Sequence, residues 1–352
     1  MQQGPVAQIR QTVLPAGRIG TRDLVVLTVS WSASGLALCE SNAISIVEAN
    51  RRFPRFRGQC TRPTFFEDIR SKIREVKADI VAITTQHEPS SNTFLHSEYL
   101  PMALGDMGFT RVQFDPYKFS DSKGSTLRLS VYSYNDLQVK AVASKHQFRL
   151  VSGGAIVSYL QVQEKEMVFI AVQTAELSPL YTDNGNNIVD HDSLRAANTA
   201  TELIQLIAST VNARNSVNWW LMGDFGSSVA VPGWDANMII ESIRQHGTAE
   251  WVVFDTMSIV RQFPTLSILQ EGSGDIGRPT FGPVFPLSRK RGSECVGAQM
   301  SSACFLPLED RIGWPSRIFY TGNVTCSQYN RLNSGSIVDS DSDLIYAVFK
   351  VK

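Results

Sequence analysis

The fold is decided by the stretch from Gly154 to Thr174, which reads GAIVSYLQVQEKEMVFIAVQT. Two apolar segments rich in β-branched residues, Gly154–Gln163 and Glu166–Thr174, flank a short charged turn, which is typical of two paired β-strands. The preceding segments Thr126–Tyr134 and Asp136–Ala143 carry the same pattern. Four strands in succession, separated by short polar turns, predict an antiparallel meander.

Strands and helices alternate on both sides of this meander. Buried strands are predicted at Asp23–Ser30 and Asp79–Thr85, with a helix at Thr64–Lys77 between them, because its apolar residues recur at helical spacing. On the other side, a long helix at His191–Val211 precedes a strand at Asn218–Gly223. Antiparallel strands mixed with helices predict two packed sheets flanked by helices. The remaining predicted elements are helices at Phe94–Met107 and Ala236–Gln245, a loop at Gln270–Pro286, and strands at Thr110–Asp115, Arg317–Thr321 and Leu344–Val351.

The composition describes a globular protein. The chain has 352 residues, of which 43% are hydrophobic, and its 33 basic residues balance its 33 acidic ones. An ordinary apolar fraction excludes bulk disorder, and zero net charge excludes a global basic field for nucleic acid or anionic membranes. The longest apolar runs, Leu24–Val29 and Trp251–Phe254, are far shorter than the roughly 20 residues of a membrane helix. We therefore expect a soluble protein without a transmembrane segment.

The cysteines and the first 22 residues bear on cellular location. Five scattered cysteines without ligand spacing indicate neither a zinc site nor a disulfide framework, so a reducing, cytoplasmic compartment is expected. Residues 1–22 contain three arginines and no acid, but their prolines and glycines suit a targeting helix poorly. We expect a disordered or strand-adding tail there, with organellar targeting as the alternative, and one domain over residues 23–352.

Seven short motifs follow one another along that domain and carry a resemblance to a known family. In their order and spacing they resemble the inositol polyphosphate 5-phosphatases, a branch of the endonuclease/exonuclease/phosphatase proteins. The resemblance implies a four-layer α/β/β/α sandwich of two mostly antiparallel sheets flanked by helices, with Pro286–Cys304 as a loop insertion. The motifs are Leu27–Ser32, Ala78–Gln86, Ser152–Val157, Trp220–Phe225, Gln270–Phe281, Trp314–Ile318 and Ser340–Phe349.

The family chemistry that the resemblance implies is Mg²⁺-dependent phosphoryl transfer. One Mg²⁺ polarises the scissile phosphate, and an aspartate at the position of Asp224 orients or deprotonates the attacking water. The aspartate of the last motif matches Asp341. The positions that match substrate-binding arginines are Arg311 and Arg317.

Most of the other catalytic positions carry different residues in this chain. His87 stands where the family has its metal-binding glutamate, and Glu88, one residue later, would face the opposite side of a regular strand. A catalytic histidine falls on Ala175 or, in the other register, on Glu176, and Glu309 stands in place of a phosphate-binding lysine. The remaining substituted positions are Ser32, Ser152, Gly226, Ser316 and Ser342.

Three functions follow from this pattern. The leading hypothesis is a catalytically inactive pseudophosphatase without a cofactor, which serves as a binding or structural subunit among protein partners. In that case Asp224 and Asp341 are better explained as turn-capping or hydrogen-bonding residues than as catalysts. The second is an active, Mg²⁺-dependent phosphatase of phosphoinositides or inositol polyphosphates with a rearranged site, in which His87 and Glu88 would be the metal ligands.

The third hypothesis is an RNA- or protein-docking subunit of a larger assembly. The densest positive run of the chain interleaves arginines with phenylalanines, which suits contacts to phosphates and stacking on bases. The alternative to an anion-binding site is that this run forms a solvated loop or a subunit-docking arm. Its candidate anion or partner residues are Arg51, Arg52, Arg55 and Arg57.

Overall fold

Two β-sheets packed face to face form the centre of the structure. The structure, a computed structural model, describes residues 23–32, 64–89, 95–118, 125–142, 147–150, 153–174, 188–211, 218–229, 234–273, 278–281, 284, 312–321, 324–332 and 344–352. The N-terminal tail and the expected insertion at Pro286–Cys304 lie outside these residues.

The first sheet has six strands, and strands from the two ends of the chain lie at its centre. In chain order these strands are β1 (Leu24–Ser32), β2 (Ile80–Pro89), β3 (Phe109–Lys118), β4 (Ser125–Tyr134), β12 (Val324–Leu332) and β13 (Leu344–Val351). Their spatial order is β12-β13-β1-β2-β4-β3. β1 is parallel to β2, and the other neighbours are antiparallel.

The second sheet contains three of the four strands of the predicted meander. The prediction was wrong for Thr126–Tyr134, which as β4 lies in the first sheet between β2 and β3. The spatial order of the second sheet is β10-β11-β9-β8-β7-β5, and β6 also pairs with β7. Only β8 and β9 run parallel among its described strands. The strands are β5 (Val139–Ala141), β6 (Gln147–Arg149), β7 (Gly153–Val162), β8 (Lys165–Thr174), β9 (Asn218–Asp224), β10 (Gln270–Glu271) and β11 (Ser316–Thr321).

Helices cover the outer faces of both sheets. On the first sheet, Ile69 and Ile73 of α1 pack with outward residues of β1 and β2, because apolar residues spaced by four lie on one face of a helix. On the second sheet, Leu203 and Ile207 of α3 do the same. The helices are α1 (Thr64–Val76), α2 (Leu100–Gly105), α3 (Ile188–Thr210), α4 (Ala236–His246), α5 (Ala249–Val252) and α6 (Thr256–Val260), with a π-helical turn at Leu95–Tyr99.

This arrangement confirms the expected four-layer sandwich of mostly antiparallel sheets. A third apolar cluster fills the space between the sheets, with Trp220 stacked on Phe169 at 4.7 Å between ring centroids and fully buried. Among the described residues, no helix is long and apolar enough to cross a membrane.

Three local predictions differ from the structure. The strand expected at Asp136–Ala143 is shorter, because a turn precedes Val139 and only Val139–Ala141 pairs with β7. The loop predicted at Gln270–Pro286 begins with the two residues of β10, which pair with β11. β12 was not predicted, because its alternate positions carry polar residues that the structure exposes.

Candidate functional site

The candidate site lies where the parallel strands of the two sheets end. The carboxyl ends of parallel strands meet at one edge of a sheet. β1 ends at Ser32, which is in register with Gln86 of β2, and β8 brings Gln173 into register with Asp224 of β9. These side chains face the space between the sheets, so the topology brings residues from four strands together.

A β-bulge in β2 determines how His87 enters this space. Thr85 pairs with Arg128 of β4, but Glu88 pairs with Thr126, so β2 carries one extra residue between these pairs. His87 has a φ of 56°, in the left-handed region, within this bulge. Because the bulge breaks the regular alternation of side chains, Gln86 and His87 both contact residues of the inter-sheet space.

Gln173 fixes the orientation of the His87 ring. The His87 backbone N–H donates to Gln173 Oε1 at 2.9 Å, so the amide nitrogen of Gln173 is the group that faces His87 Nδ1, at 3.3 Å. Because that amide donates to Nδ1, Nε2 is the ring nitrogen that carries a proton towards Asp224. His87 Nε2 lies 3.2 Å from Asp224 Oδ2 and donates a hydrogen bond to this carboxylate oxygen.

Asp224 is buried and its two carboxylate oxygens are engaged. Oδ2 faces His87, and Oδ1 accepts the Gly226 backbone N–H at 2.8 Å. Burial alone would raise the pKa of Asp224, but the hydrogen bond and the charge of His87, together with hydrogen bonds from Gly226 and Ser32, outweigh it and hold this pKa below its usual value. Asp224 is therefore an ionised carboxylate held by three protein donors.

Gly223 allows the close approach of β8 and β9 at this point. Its φ is +147°, and a Cβ atom there would lie 1.9 Å from the Val172 carbonyl oxygen. Only glycine fits this contact, because no real Cβ approaches an oxygen so closely. The glycine before Asp224 thus has a packing role that is independent of any catalysis.

The described residues around Asp224 do not fit a magnesium site. Mg²⁺ favours several oxygen ligands, chiefly carboxylates and water, whereas Asp224 faces an imidazole, a hydroxyl and a backbone N–H. Within the described ranges, no group of three or more His, Cys, Asp and Glu side chains could hold a metal ion. The Glu88 side chain and Asp341 lie outside the part that the structure describes.

Arg317 lies in a second buried cluster on the other face of the second sheet. Ser316, in register with Asp224, shares its face with Ile318, which packs between the sheets. Arg317 therefore points away from Asp224 by strand alternation. Its Nε and Nη2 donate to the two carboxylate oxygens of Glu271 at 2.5 Å, and its Nη1 donates to Asp255 Oδ1 at 2.7 Å.

The electrostatics of this cluster are those of a buried ion network. Burial alone would lower the pKa of Arg317, but Glu271 and Asp255 more than compensate and raise it. Burial outweighs the attraction of Arg317 at Asp255, whose pKa is raised. All three side chains are fully buried. The guanidinium of Arg317 thus donates hydrogen bonds to Glu271 and Asp255. The substrate-binding role expected for Arg317 stays a prediction.

His96 is a buried histidine outside the site. Its Nε2 lies 2.8 Å from Thr85 Oγ1 and its Nδ1 lies 2.6 Å from Ser130 Oγ. Burial, with the nearby Arg128 and Arg111, lowers the pKa of His96 well below its usual value. His96 is thus a neutral core residue.

The structure brings together five of the positions named from the sequence: Ser32, His87, Asp224, Gly226 and Ser316. Reasoning from the sequence missed Gln173, Asp255 and Glu271 as partners of these residues. Gln173 could have been found, because it precedes the sequence position of the missing catalytic histidine at the same strand end. The other predicted residues lie outside the described ranges: Arg51, Arg52, Arg55, Arg57, Ser152, Ala175, Glu176, Glu309, Arg311, Asp341 and Ser342.

The fold is similar to that of proteins of known structure, among them a phosphatase domain of the kind that the motifs resemble. One solved structure with this fold is the 5-phosphatase domain of SPsynaptojanin in complex with inositol (1,4)-bisphosphate and a calcium ion. It is 13% identical, the match covers 94% of this chain and 84% of that one, and the TM-score is 0.57.

A second similar structure is the Cimex nitrophorin ferrous NO complex. It is 14% identical, with 95% of this chain and 100% of that chain covered, at a TM-score of 0.58. No family profile and no curated protein sequence matches the chain. At these identities the likeness shows the fold, and the activity must be argued from the site.

Proposed function

We propose that this chain is a phosphatase-fold domain that does not hydrolyse phosphate esters and serves as a binding or structural component among protein partners. The observation that carries the proposal is the contact of 3.2 Å between His87 Nε2 and Asp224 Oδ2. His87 stands at the position of the family's metal-binding glutamate, so a carboxylate is replaced there by a hydrogen-bond donor.

The chemical consequence concerns both requirements of phosphoryl transfer. The reaction depends on cationic neutralisation of the phosphoryl oxygens and on a positioned water nucleophile. An imidazole in either charge state supplies less attraction for Mg²⁺ than a carboxylate does. The Asp224 carboxylate, which would orient the water, instead accepts hydrogen bonds from His87, Gly226 and Ser32. Losing both the metal-binding carboxylate and the group that orients the water costs several orders of magnitude in reaction rate.

The two similar structures belong to proteins with different ligands. One belongs to a phosphatase domain with bound inositol (1,4)-bisphosphate, and the other is a nitrophorin in a ferrous NO complex. The same architecture therefore carries different functions, and the residues at the strand ends decide between them.

Phosphate release from inositol 1,4,5-trisphosphate and from PI(4,5)P₂ in the presence of Mg²⁺ tests the proposal. We expect release at the level of a protein-free control. Turnover of about 1 s⁻¹ or faster, in the ordinary range of enzymes, would contradict it. Asp224→Asn distinguishes a rearranged active site from a contaminant, because only the former loses turnover on this substitution. Asp235→Asn, at an exposed carboxylate of the α4 N-terminus, is the matched control.

A further inference from the structure

An exposed aromatic patch lies on α4, on α5 and on the residues that flank them. It consists of Trp234, Met238, Trp251, Val253 and Phe254, and we call it the aromatic patch. Four of these side chains are large, apolar and between 39% and 54% exposed. Exposed apolar residues are common singly, but a contiguous group of them marks an interaction surface.

Ring contacts join the three aromatic residues of the patch, and one hydrogen bond joins its two helices. The Trp251 ring lies 5.0 Å from the Trp234 ring and 6.1 Å from the Phe254 ring, between centroids. Trp251 Nε1 donates to Ser242 Oγ at 3.0 Å, which joins α5 to α4. Met238 precedes Ser242 by four residues, so both lie on one face of α4.

Trp251 gives the patch a rigid centre. Its side chain is 6% exposed and belongs to the apolar cluster between the sheets, together with Ile239 and Ile240 of α4. Trp234 and Phe254 are therefore held against a fixed indole, and binding a partner would order few additional side chains. Rigid aromatic anchors of this kind contribute most of the energy at protein interfaces.

The charges around the patch select the kind of partner. The segment from Trp234 to Phe254 contains three acidic residues and one arginine. Arg244 pairs with Glu241 at 2.8 Å, whereas Asp235 and Glu250 are exposed. Negative charge beside aromatic faces repels nucleic acid and anionic membranes, and it attracts lysine and arginine side chains, which also bind aromatic rings through cation–π contacts.

We propose that the aromatic patch docks a basic, apolar polypeptide segment of a partner protein. Its apolar side chains would pack on Trp234, Met238 and Phe254, and its lysines or arginines would face Asp235 and Glu250. The inference extends the binding role in the proposed function. It can fail separately from it, because a chain without phosphatase activity need not bind through this surface.

Fluorescence anisotropy with labelled probes tests the inference on the full chain. The probes are an amphipathic helical peptide of lysine and leucine, its counterpart with glutamate in place of lysine, and an oligouridine. We expect saturable binding of the lysine peptide, and affinities at least about tenfold lower for the other two. Equal binding of the glutamate peptide or preferential binding of the oligouridine would overturn the inference.

Substitutions in the aromatic patch locate the binding surface. Trp234→Ala combined with Phe254→Ala should lower the affinity for the lysine peptide by about tenfold or more, because both rings are anchors. Tyr134→Ala is the matched control. Tyr134 is an aromatic residue of similar exposure, 40%, at the end of β4 in the first sheet, and it is not part of the aromatic patch. Single Phe254→Ser provides a second variant if the double one misfolds. Unchanged affinity in the folded patch variants would refute the assignment.

Discussion

Replacing Arg317 by methionine removes a cation from a buried cluster and leaves two carboxylates without their main partner. Asp255 and Glu271 are fully buried, and the guanidinium contacts both of them. Methionine fills much of the same volume, so the change is mainly electrostatic. Breaking a buried ion pair by removing one partner costs about 3–5 kcal/mol of unfolding free energy, because a buried charge remains uncompensated.

Other contacts in the cluster place the expected loss near the lower end of that range. Glu271 keeps the Tyr329 hydroxyl, which donates to Oε1 at 2.9 Å, and Arg261, whose Nη1 lies 3.5 Å from Oε2. Asp255 keeps the Ser227 hydroxyl at 2.6 Å. We therefore expect a loss of about 3 kcal/mol, which corresponds to a fall in Tm of roughly 6 °C for a chain of this size.

Urea denaturation followed by tryptophan fluorescence measures this loss. The matched control is Arg244→Met, which removes an ion pair with Glu241 of similar length, 2.8 Å, on an exposed helix face. This control should lose no more than about 0.5 kcal/mol. The deficit of Arg317→Met should shrink as the pH falls from 7 to 4, because Asp255, whose pKa burial raises, takes up a proton and loses its uncompensated charge.

Two results would refute this reasoning. One is an Arg317→Met variant that is no less stable than Arg244→Met, with the m-value unchanged. The other is a deficit that does not depend on pH. If Arg317→Met does not fold, Arg317→Met combined with Asp255→Asn removes one of the two stranded charges, and it should recover measurable stability.

Three further substitutions test the packing of β9 and two buried titratable groups. Gly223→Ala should lower the unfolding free energy, measured by urea denaturation, by roughly 3 kcal/mol or more, because its Cβ would lie 1.9 Å from the Val172 oxygen. The control Gly105→Ala, whose Cβ would have no atom within 4 Å, should be neutral or stabilising. Equal stabilities of the two variants would contradict this. Because the pKa of Asp224 is lower in the folded than in the unfolded chain, its ionised form stabilises the fold at pH values above the unfolded pKa of about 4. This contribution disappears as the pH falls through the pKa of the folded state. The unfolding free energies of the wild type and Asp224→Asn should therefore converge in acid, and parallel pH profiles would argue against it. The pKa of His96 is lowered in the fold, so below about pH 6 the unfolded chain binds a proton that the folded chain does not. The unfolding free energy should therefore fall by about 1.4 kcal/mol for each pH unit below this point. His96→Gln should lack this slope.

The sequence was informative where burial forces a simple pattern. β7 and β8 are nearly continuous apolar runs because both faces of the sheet are covered, and their bounds were predicted within a residue or so. β12 escaped because it alternates buried and exposed residues, and its polar positions resemble a loop. The resemblance matched Ser32, His87 and Asp224 to positions of one catalytic site, and in the structure these residues lie at the ends of β1, β2 and β9.

The contacts of the site depended on features that the sequence does not encode locally. Regular alternation after Gln86 predicted opposite faces for neighbouring side chains, but a bulge lets Gln86 and His87 both reach the inter-sheet space. Motif matching gave the position of Arg317 in its strand but not the face of the sheet that its side chain occupies. Its partners Asp255 and Glu271 lie 62 and 46 residues away along the chain, and neither separation suggests a contact.

The position of β13 has a consequence for synthesis on the ribosome. β13 lies between β12 and β1, and Leu24 at the start of β1 is in register with Val351 at the end of β13. β1, the first of the described strands to be translated, therefore has one edge without its partner until β13, the last of them, has left the exit tunnel. During that interval this edge of β1 presents unpaired backbone N–H and C=O groups, to which strands of other chains can bind. A premature stop before Leu344 would leave this edge open permanently.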